Sequence, residues 1–193
     1  MKNCIIASII YLLSIVCFDS VKSNAGNKFK GQPRTLKILS YNVRNCVGLD
    51  NIKDYDRVAA VIKRIDADVI AIQELDSATS RSKGVVVLNE LAAKTNMYQS
   101  YSGSIGFQGG KYGIGILTRE KPISYYKLSL PGKEERRSIL LVELKDIVIC
   151  CTHLSLNVED RLSSIELINE ATGKFSKPVF LAGDQIPRLV LKS

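Results

Sequence analysis

The sequence predicts a layered sandwich of β-sheets and α-helices. Three observations carry that expectation. Apolar runs of strand length recur along the chain, helical periodicity interrupts them at three places, and the second half is a succession of strands split by turn-length polar breaks. Helices interleaved with mostly antiparallel strands must bury their apolar faces against one another in layers. At 193 residues a single domain is the natural size.

The elements follow in order. Residues 1–23 hold Lys2, then an apolar run over 4–18, then small residues around Ser23 and Ala25, the layout of a cleavable secretory signal. That run is 15 residues, shorter than the roughly 20 that cross a bilayer, so export is expected, with a retained N-terminal anchor as the alternative. Residues 24–34, "NAGNKFKGQPR", read as a flexible lead-in to a domain over 35–184. "TLKILSYNV" is the first strand. "DYDRVAAVIKRIDA" sets Val58, Val61, Ile62 and Ile65 at helical spacing behind Asp54, a good N-cap. "DVIAIQEL" is a short apolar strand, and "GVVVLNELAAKT" a helix built on Leu88, Leu91 and Ala92. After Met97, "YGIGILTRE", "ISYYKLSL", "RSILLVEL" and "DIVICCTHL" read as successive strands whose short breaks make them antiparallel neighbours. Asn157, with Asp160 three residues on, opens a helix carrying Leu162, Ile165, Ile168, Ala171 and Phe175 on one face. "PVFLAGD" is the last strand.

Lys and Arg number 27 against 19 Asp and Glu, a net charge of +8, which favours anionic partners. The lysines are scattered, with one mild cluster at "GKEERRS", and no basic-aromatic stripe marks a nucleic-acid groove. Beyond residue 23 the cysteines are Cys46, Cys150 and Cys151. An odd number with two adjacent is no disulfide framework, and neighbours on one strand point to opposite faces, so Cys150 and Cys151 read as core.

Four apolar strands end in polar side chains. Asn42 follows "LKILSY", Glu74 follows "DVIAIQ", His153 follows "IVICCT" and Asp184 follows "VFLAG". Singly these are ordinary: a turn residue, a solvated strand end, a core histidine, a turn cap. Side by side, they gather an amide, two carboxylates and an imidazole at the rim where open sheets place their sites. That set suits Mg²⁺, which takes oxygen ligands and keeps several waters. A divalent ion clamps phosphate oxygens and acidifies a bound water, while an imidazole can serve a leaving oxygen.

The stretches "LKILSYNVRN", "DADVIAIQELD", "FQGGKYGIGILTRE", "RRSILLVEL", "IVICCTHLSLN" and "KPVFLAGD" resemble the endonuclease/exonuclease/phosphatase superfamily, which is deoxyribonuclease I-like. The "GG-x-YG" segment, here "GGKYG", is similar to its secreted bacterial branch. The resemblance implies a four-layer α/β/β/α sandwich and hydrolysis of a phosphate ester by metal-activated water. It implies Glu74 as principal ligand of Mg²⁺, with Mn²⁺ as the alternative ion, and Asn42 beside both metal and scissile phosphate. His153 is implied at the phosphate and leaving group, Asp184 at the attacking water, and Arg137 and Tyr112 as substrate contacts. The implied partner is an anionic phosphate ester: nucleic acid, lipid headgroup or sugar phosphate. The protein is expected to be a monomer with no stable membrane span after signal cleavage.

Two departures stand out. Ile186 occupies the place of the asparagine in the family's Gly-Asp-x-Asn pattern. The closing Asp-His pair has no counterpart either, because His153 is the sole histidine. Residues 185–193 resemble no continuation of the family. The expectation is a domain lacking its C-terminal strands through a frameshift or early stop, impaired in activity and marginal in stability. The alternative is a non-catalytic member of the fold that binds anionic ligands or partners through the rim.

Overall fold

The computed structural model describes residues 15–16 and 35–184. Most of the expected signal peptide, the lead-in and the tail 185–193 lie outside the described residues. The first sheet begins with β1 (Ile15–Val16), antiparallel to β2 (Ile38–Asn42). From β2 the chain passes through α1 (Tyr55–Ile65) into β3 (Val69–Ser77), which runs parallel to β2 from Ile38↔Val69 to Asn42↔Gln73. After α2 (Val87–Thr95), the hairpin β4 (Tyr98–Phe107) and β5 (Gly110–Thr118) completes the sheet, in the order β1-β2-β3-β5-β4.

The second sheet is β6 (Ser124–Leu130), β7 (Arg137–Glu143), β8 (Val148–His153) and β9 (Val179–Asp184), in chain order. Here β6, β7 and β8 are antiparallel neighbours, and α3 (Val158–Thr172) returns the chain so that β9 runs parallel to β8. Each sheet thus holds one parallel pair joined through a helix, and the carboxyl ends of the two pairs carry the polar residues singled out above.

Three apolar clusters make the four expected layers. Val58, Ile62, Leu88 and Leu91 of the first two helices pack with Leu39, Ile70, Ile72 and Leu75 on the outer face of the first sheet. Val69, Ala71, Ile114 and Ile116 meet Leu140, Val142, Ile149 and Cys151 between the sheets. Ile139, Leu141, Val148 and Cys150 lie under Ile168 of α3. Burying each large aliphatic side chain contributes about 1.5–3 kcal/mol, so the inter-sheet layer dominates the adhesion of the halves. Cys150 and Cys151 are both buried and face different clusters, as period-two alternation requires.

The helix caps are those the sequence signals. The Asp54 carboxylate accepts from Arg57 N–H at 2.9 Å, and the Asn157 side chain accepts from Asp160 N–H at 3.1 Å.

Three expectations are corrected. The strand β4, "YQSYSGSIGF", gave no signal because its buried positions include Ser100 and Ser102, so no apolar alternation is visible. The break "KP" between β5 and β6 is a crossing from one sheet to the other, since β5 pairs with β3 and β4 while β6 pairs with β7. In α3 the buried line is Asp160, Ser164 and Ile168, whereas Leu162 and Ile165 are exposed. Asp160 is drawn inward because its carboxylate accepts from Lys133 N–H at 2.7 Å and Ser155 Oγ at 3.0 Å. Satisfying a buried carboxylate outweighed the apolar stripe.

Candidate active site

Glu74 reaches the rim because the backbone bends there. In the β3–β5 ladder Ile72 pairs with Gly115 and Leu75 with Gly113, so Gln73 and Glu74 together oppose Ile114. This is a bulge, which kinks the strand and re-aims a side chain. Glu74 has φ 62°, a left-handed conformation that an L-residue holds only at a cost of about 1–3 kcal/mol. Gln73 takes the inward position, where its Nε2 donates to Ala71 O at 3.1 Å and to Cys151 Sγ at 3.5 Å. The bulge therefore buries the neutral amide and leaves the carboxylate at the rim.

Asn42 joins the two sheets. Its Nδ2 donates to Glu74 Oε1 at 2.7 Å and to Asp184 Oδ2 at 3.3 Å, the second bond linking residues 142 apart in sequence. Its Oδ1 accepts from Arg44 N–H at 3.0 Å, which fixes the amide's orientation. His153 and Asp184 are register partners across β8 and β9, with His153 Nε2 at 3.9 Å from Asp184 Oδ2. Asp184 O also accepts from Leu154 N–H at 3.1 Å. Glycine is required before Asp184, because Gly183 has φ +146° and a Cβ there would lie 2.0 Å from Thr152 O.

The electrostatics follow from burial. Desolvation lowers the His153 pKa below its usual value, and the nearby Arg137 guanidinium lowers it further, against the pull of Asp184, Glu74 and Glu135. His153 is therefore neutral near pH 7. Burial, reinforced by the charges of Glu74 and Glu135, raises the pKa of the Tyr112 hydroxyl and keeps it protonated.

Arg137 is almost wholly buried, yet its Nε has no partner among the described residues. Its other nitrogens reach Glu135 Oε1 at 2.9 Å and Glu134 Oε1 at 3.5 Å.

All six residues singled out in the sequence thus come to one rim. Glu134 and Glu135 belong to the same neighbourhood without a strand-end signature. Their adjacency to Arg137 in "GKEERRS" is the only hint the sequence offers. Glu134 accepts from Ser155 Oγ at 2.7 Å and Leu156 N–H at 2.8 Å, which docks the loop before β7 onto the loop after β8. A concavity of about 280 Å³ lined by Ile62, Asp66, Thr95 and Arg119 lies at the opposite end of the first sheet and gathers no comparable set.

Two sheets face to face between helical layers, with polar residues converging at the strand ends, define a deoxyribonuclease I-like sandwich. The model of the Endonuclease/Exonuclease/phosphatase family matches residues 39–185, and the chain belongs to that family. Solved structures agree on the fold. A family protein from Leptotrichia buccalis C-1013-b is 25% identical, with a TM-score of 0.60 over 76% of this chain and 66% of that one. One from Beutenbergia cavernae DSM 12333 is 21% identical, with a TM-score of 0.58 over 70% of this chain and 43% of that one. A mannosyl-6-phosphatase from Bacteroides thetaiotaomicron VPI-5482 is 18% identical, with a TM-score of 0.57 over 77% and 64%. The chain therefore spans 43–66% of the length of these structures. A search of curated proteins found no match.

Proposed function

We propose that this protein is an exported, Mg²⁺-dependent phosphoesterase that hydrolyses a phosphodiester or phosphomonoester with an activated water. The observation that carries the reading is the bridge from Asn42 to both Glu74 and Asp184, which makes one site of two sheets. The donor set fits the ion. Among the described residues no group of three or more His, Cys, Asp or Glu is placed to hold a metal. Mg²⁺ needs no such cage, being commonly held by one or two carboxylates with waters and substrate phosphate completing the shell. Glu74 and Asn42 would hold it, and a carbonyl oxygen that accepts one bond from Arg44 N–H retains a second lone pair. When bound, the ion neutralises charge at the phosphate and acidifies a water; Mn²⁺ would serve the same chemistry.

The chain's own groups have distinct tasks. Asp184, held by Asn42, accepts a proton from the attacking water. His153, neutral, donates a hydrogen bond to a phosphoryl or leaving oxygen. Arg137, whose buried Nε has no partner among the described residues, binds an anionic oxygen. Tyr112, protonated, flanks Glu74. A sugar phosphate is the first substrate to try, since one structural relative is a mannosyl-6-phosphatase.

The test measures hydrolysis of bis-(4-nitrophenyl) phosphate and 4-nitrophenyl phosphate with Mg²⁺, for the natural chain and Glu74→Ala. Equal rates in the two proteins would remove the reading. The net charge of +8 is served equally by a second reading, a rim that binds phosphate esters without turnover. Saturable binding with no turnover in either protein would establish it.

A further inference from the structure

Arg81 sits just outside this site and is held more firmly than a surface arginine needs to be. Its Nε donates to Asp76 Oδ2 at 2.8 Å and its Nη2 to Asp76 Oδ1 at 2.9 Å, a planar fork on a carboxylate that is wholly buried. Asp76 is the register partner of Tyr112 across β3 and β5. The Arg81 guanidinium lies 5.2 Å from the Tyr112 ring centroid and 4.5 Å from that of Phe107. Glu74, two residues before Asp76 on β3, stands close enough for its charge to raise the Tyr112 hydroxyl's pKa.

The loop carrying Arg81 is fastened to the hairpin carrying Tyr112. Arg81 N–H and Ser80 Oγ donate to Gln108 Oε1 at 3.1 and 3.2 Å, and Ser80 N–H donates to Gln108 O at 2.9 Å. The hairpin also sits too close to β3 for a side chain at its turn: a Cβ at Gly110 would lie 2.3 Å from Ser77 O. Lys53 closes the far side, its Nζ donating to Arg81 O at 3.0 Å and lying 4.0 Å from Asp76 Oδ2. With Arg81 Nε and Nη2 on Asp76 and Lys53 Nζ on Arg81 O, the geometry serves orientation.

We infer that Arg81, fixed by Asp76, is a positioning residue that sets Tyr112 beside Glu74. The contacts run from a buried carboxylate through a rigid fork to an aromatic ring, which stands beside the residue that would hold the ion. Its consequence for function rests on the reading of Glu74 given above; its geometry does not. Lysine cannot replace the fork and the stack at once, so Arg81→Lys keeps the charge and loses the alignment.

The experiment uses the full chain with tyrosine ¹³C-labelled at Cζ, first free of metal. The Tyr112 signal is the one lost in Tyr112→Phe. It is expected to shift in Glu74→Gln, in Arg81→Lys and in the pair Asp76→Asn/Arg81→Met, while Tyr125 and Tyr126 on the other sheet hold theirs. The paired substitution leaves no buried unpaired charge, and Arg81→Lys covers the case in which the pair fails to fold.

Mn²⁺ titration is the second readout. Affinity should fall about tenfold in the pair, the scale of losing a group that orients a metal ligand. It should fall no further when the pair is placed in Tyr112→Phe. An unmoved Tyr112 signal in Arg81→Lys overturns the inference, and so does the full tenfold loss persisting without the Tyr112 hydroxyl. A natural chain that takes up no Mn²⁺ would remove the ion-holding reading of Glu74 and leave Arg81 to be judged by the tyrosine signal alone.

Discussion

Gly183→Ala tests how tightly the site depends on the β8–β9 ladder. The added Cβ would lie 2.0 Å from Thr152 O, 2.9 Å from its C and 3.0 Å from its N. These are backbone atoms of a buried residue whose Oγ1 donates to Ser138 O at 3.0 Å in the next strand, so β8 cannot retreat. β9, the outermost of the described strands in this sheet, must move by about 1 Å instead, since ordinary carbon–oxygen contacts lie above about 3 Å. The left-handed φ at 183 adds about 1–3 kcal/mol of strain. One or two ladder bonds, including Leu154 N–H to Asp184 O, are lost at about 1 kcal/mol each. The sum is about 2–5 kcal/mol, within a typical margin of about 5–15 kcal/mol, so the variant should fold but melt earlier in urea at unchanged m-value. Asp184 would then leave its 3.3 Å contact with Asn42, and a misplacement of about 1 Å costs roughly 100-fold in rate. Gly106→Ala is the control, because nothing lies within 4 Å of a Cβ there. An unchanged urea midpoint in Gly183→Ala would refute the steric argument. A lowered midpoint with undiminished hydrolysis would refute the role given to Asp184.

Other outcomes follow from the same structure. Leu140→Ala, in the layer between the sheets, should destabilise by about 2–5 kcal/mol, read from denaturant melts; a loss under about 1 kcal/mol would mean the layer is loosely packed. Burial raises the Cys46, Cys150 and Cys151 thiols to about 12. Peptide mapping after alkylation at about pH 8 should therefore find them unlabelled in the native protein and labelled in urea. Hydrogen bonding, foremost from Ser155, lowers the Glu134 carboxyl from 4.5 to about 2. The unfolded chain binds that proton first as pH falls, so the stabilisation is whole above 4.5 and is lost towards 2. Glu134→Gln should flatten the stability profile across that window, and identical acid limbs would remove Glu134 as a contributor.

Much of this was legible in the chain. Asp54 and Asn157 announced their helices because a capping side chain acts within three residues. The runs "DVIAIQEL" and "DIVICCTHL" announced buried strands because both of their faces are apolar. The strand-end positions of Asn42, Glu74, His153 and Asp184 marked a rim for the same local reason. Less legible were features whose cause is distant. β4 looked unlike a strand because Ser102 and Ser104 on it answer Ser138 across the sandwich, with Oγ–Oγ distances of 3.2 and 2.8 Å. The inward turn of Asp160 depends on Lys133 and Ser155, and the exposed Leu162 and Ile165 follow from it. Arg81 gave no sign at all, since its meaning comes from a ring on β5.

By itself the sequence determined which segments fold, which faces are apolar and which chemical groups stand at strand ends, because those depend on residues within a turn or a pleat of one another. The tertiary structure alone decided that the two parallel pairs present their carboxyl ends to the same rim, and that Asn42 bonds across 142 residues to Asp184. It also decided that a bulge with φ 62° points Glu74 outward and Gln73 in. The physical reason is that sheet stacking and ladder register are set by packing between distant segments, which no local pattern encodes.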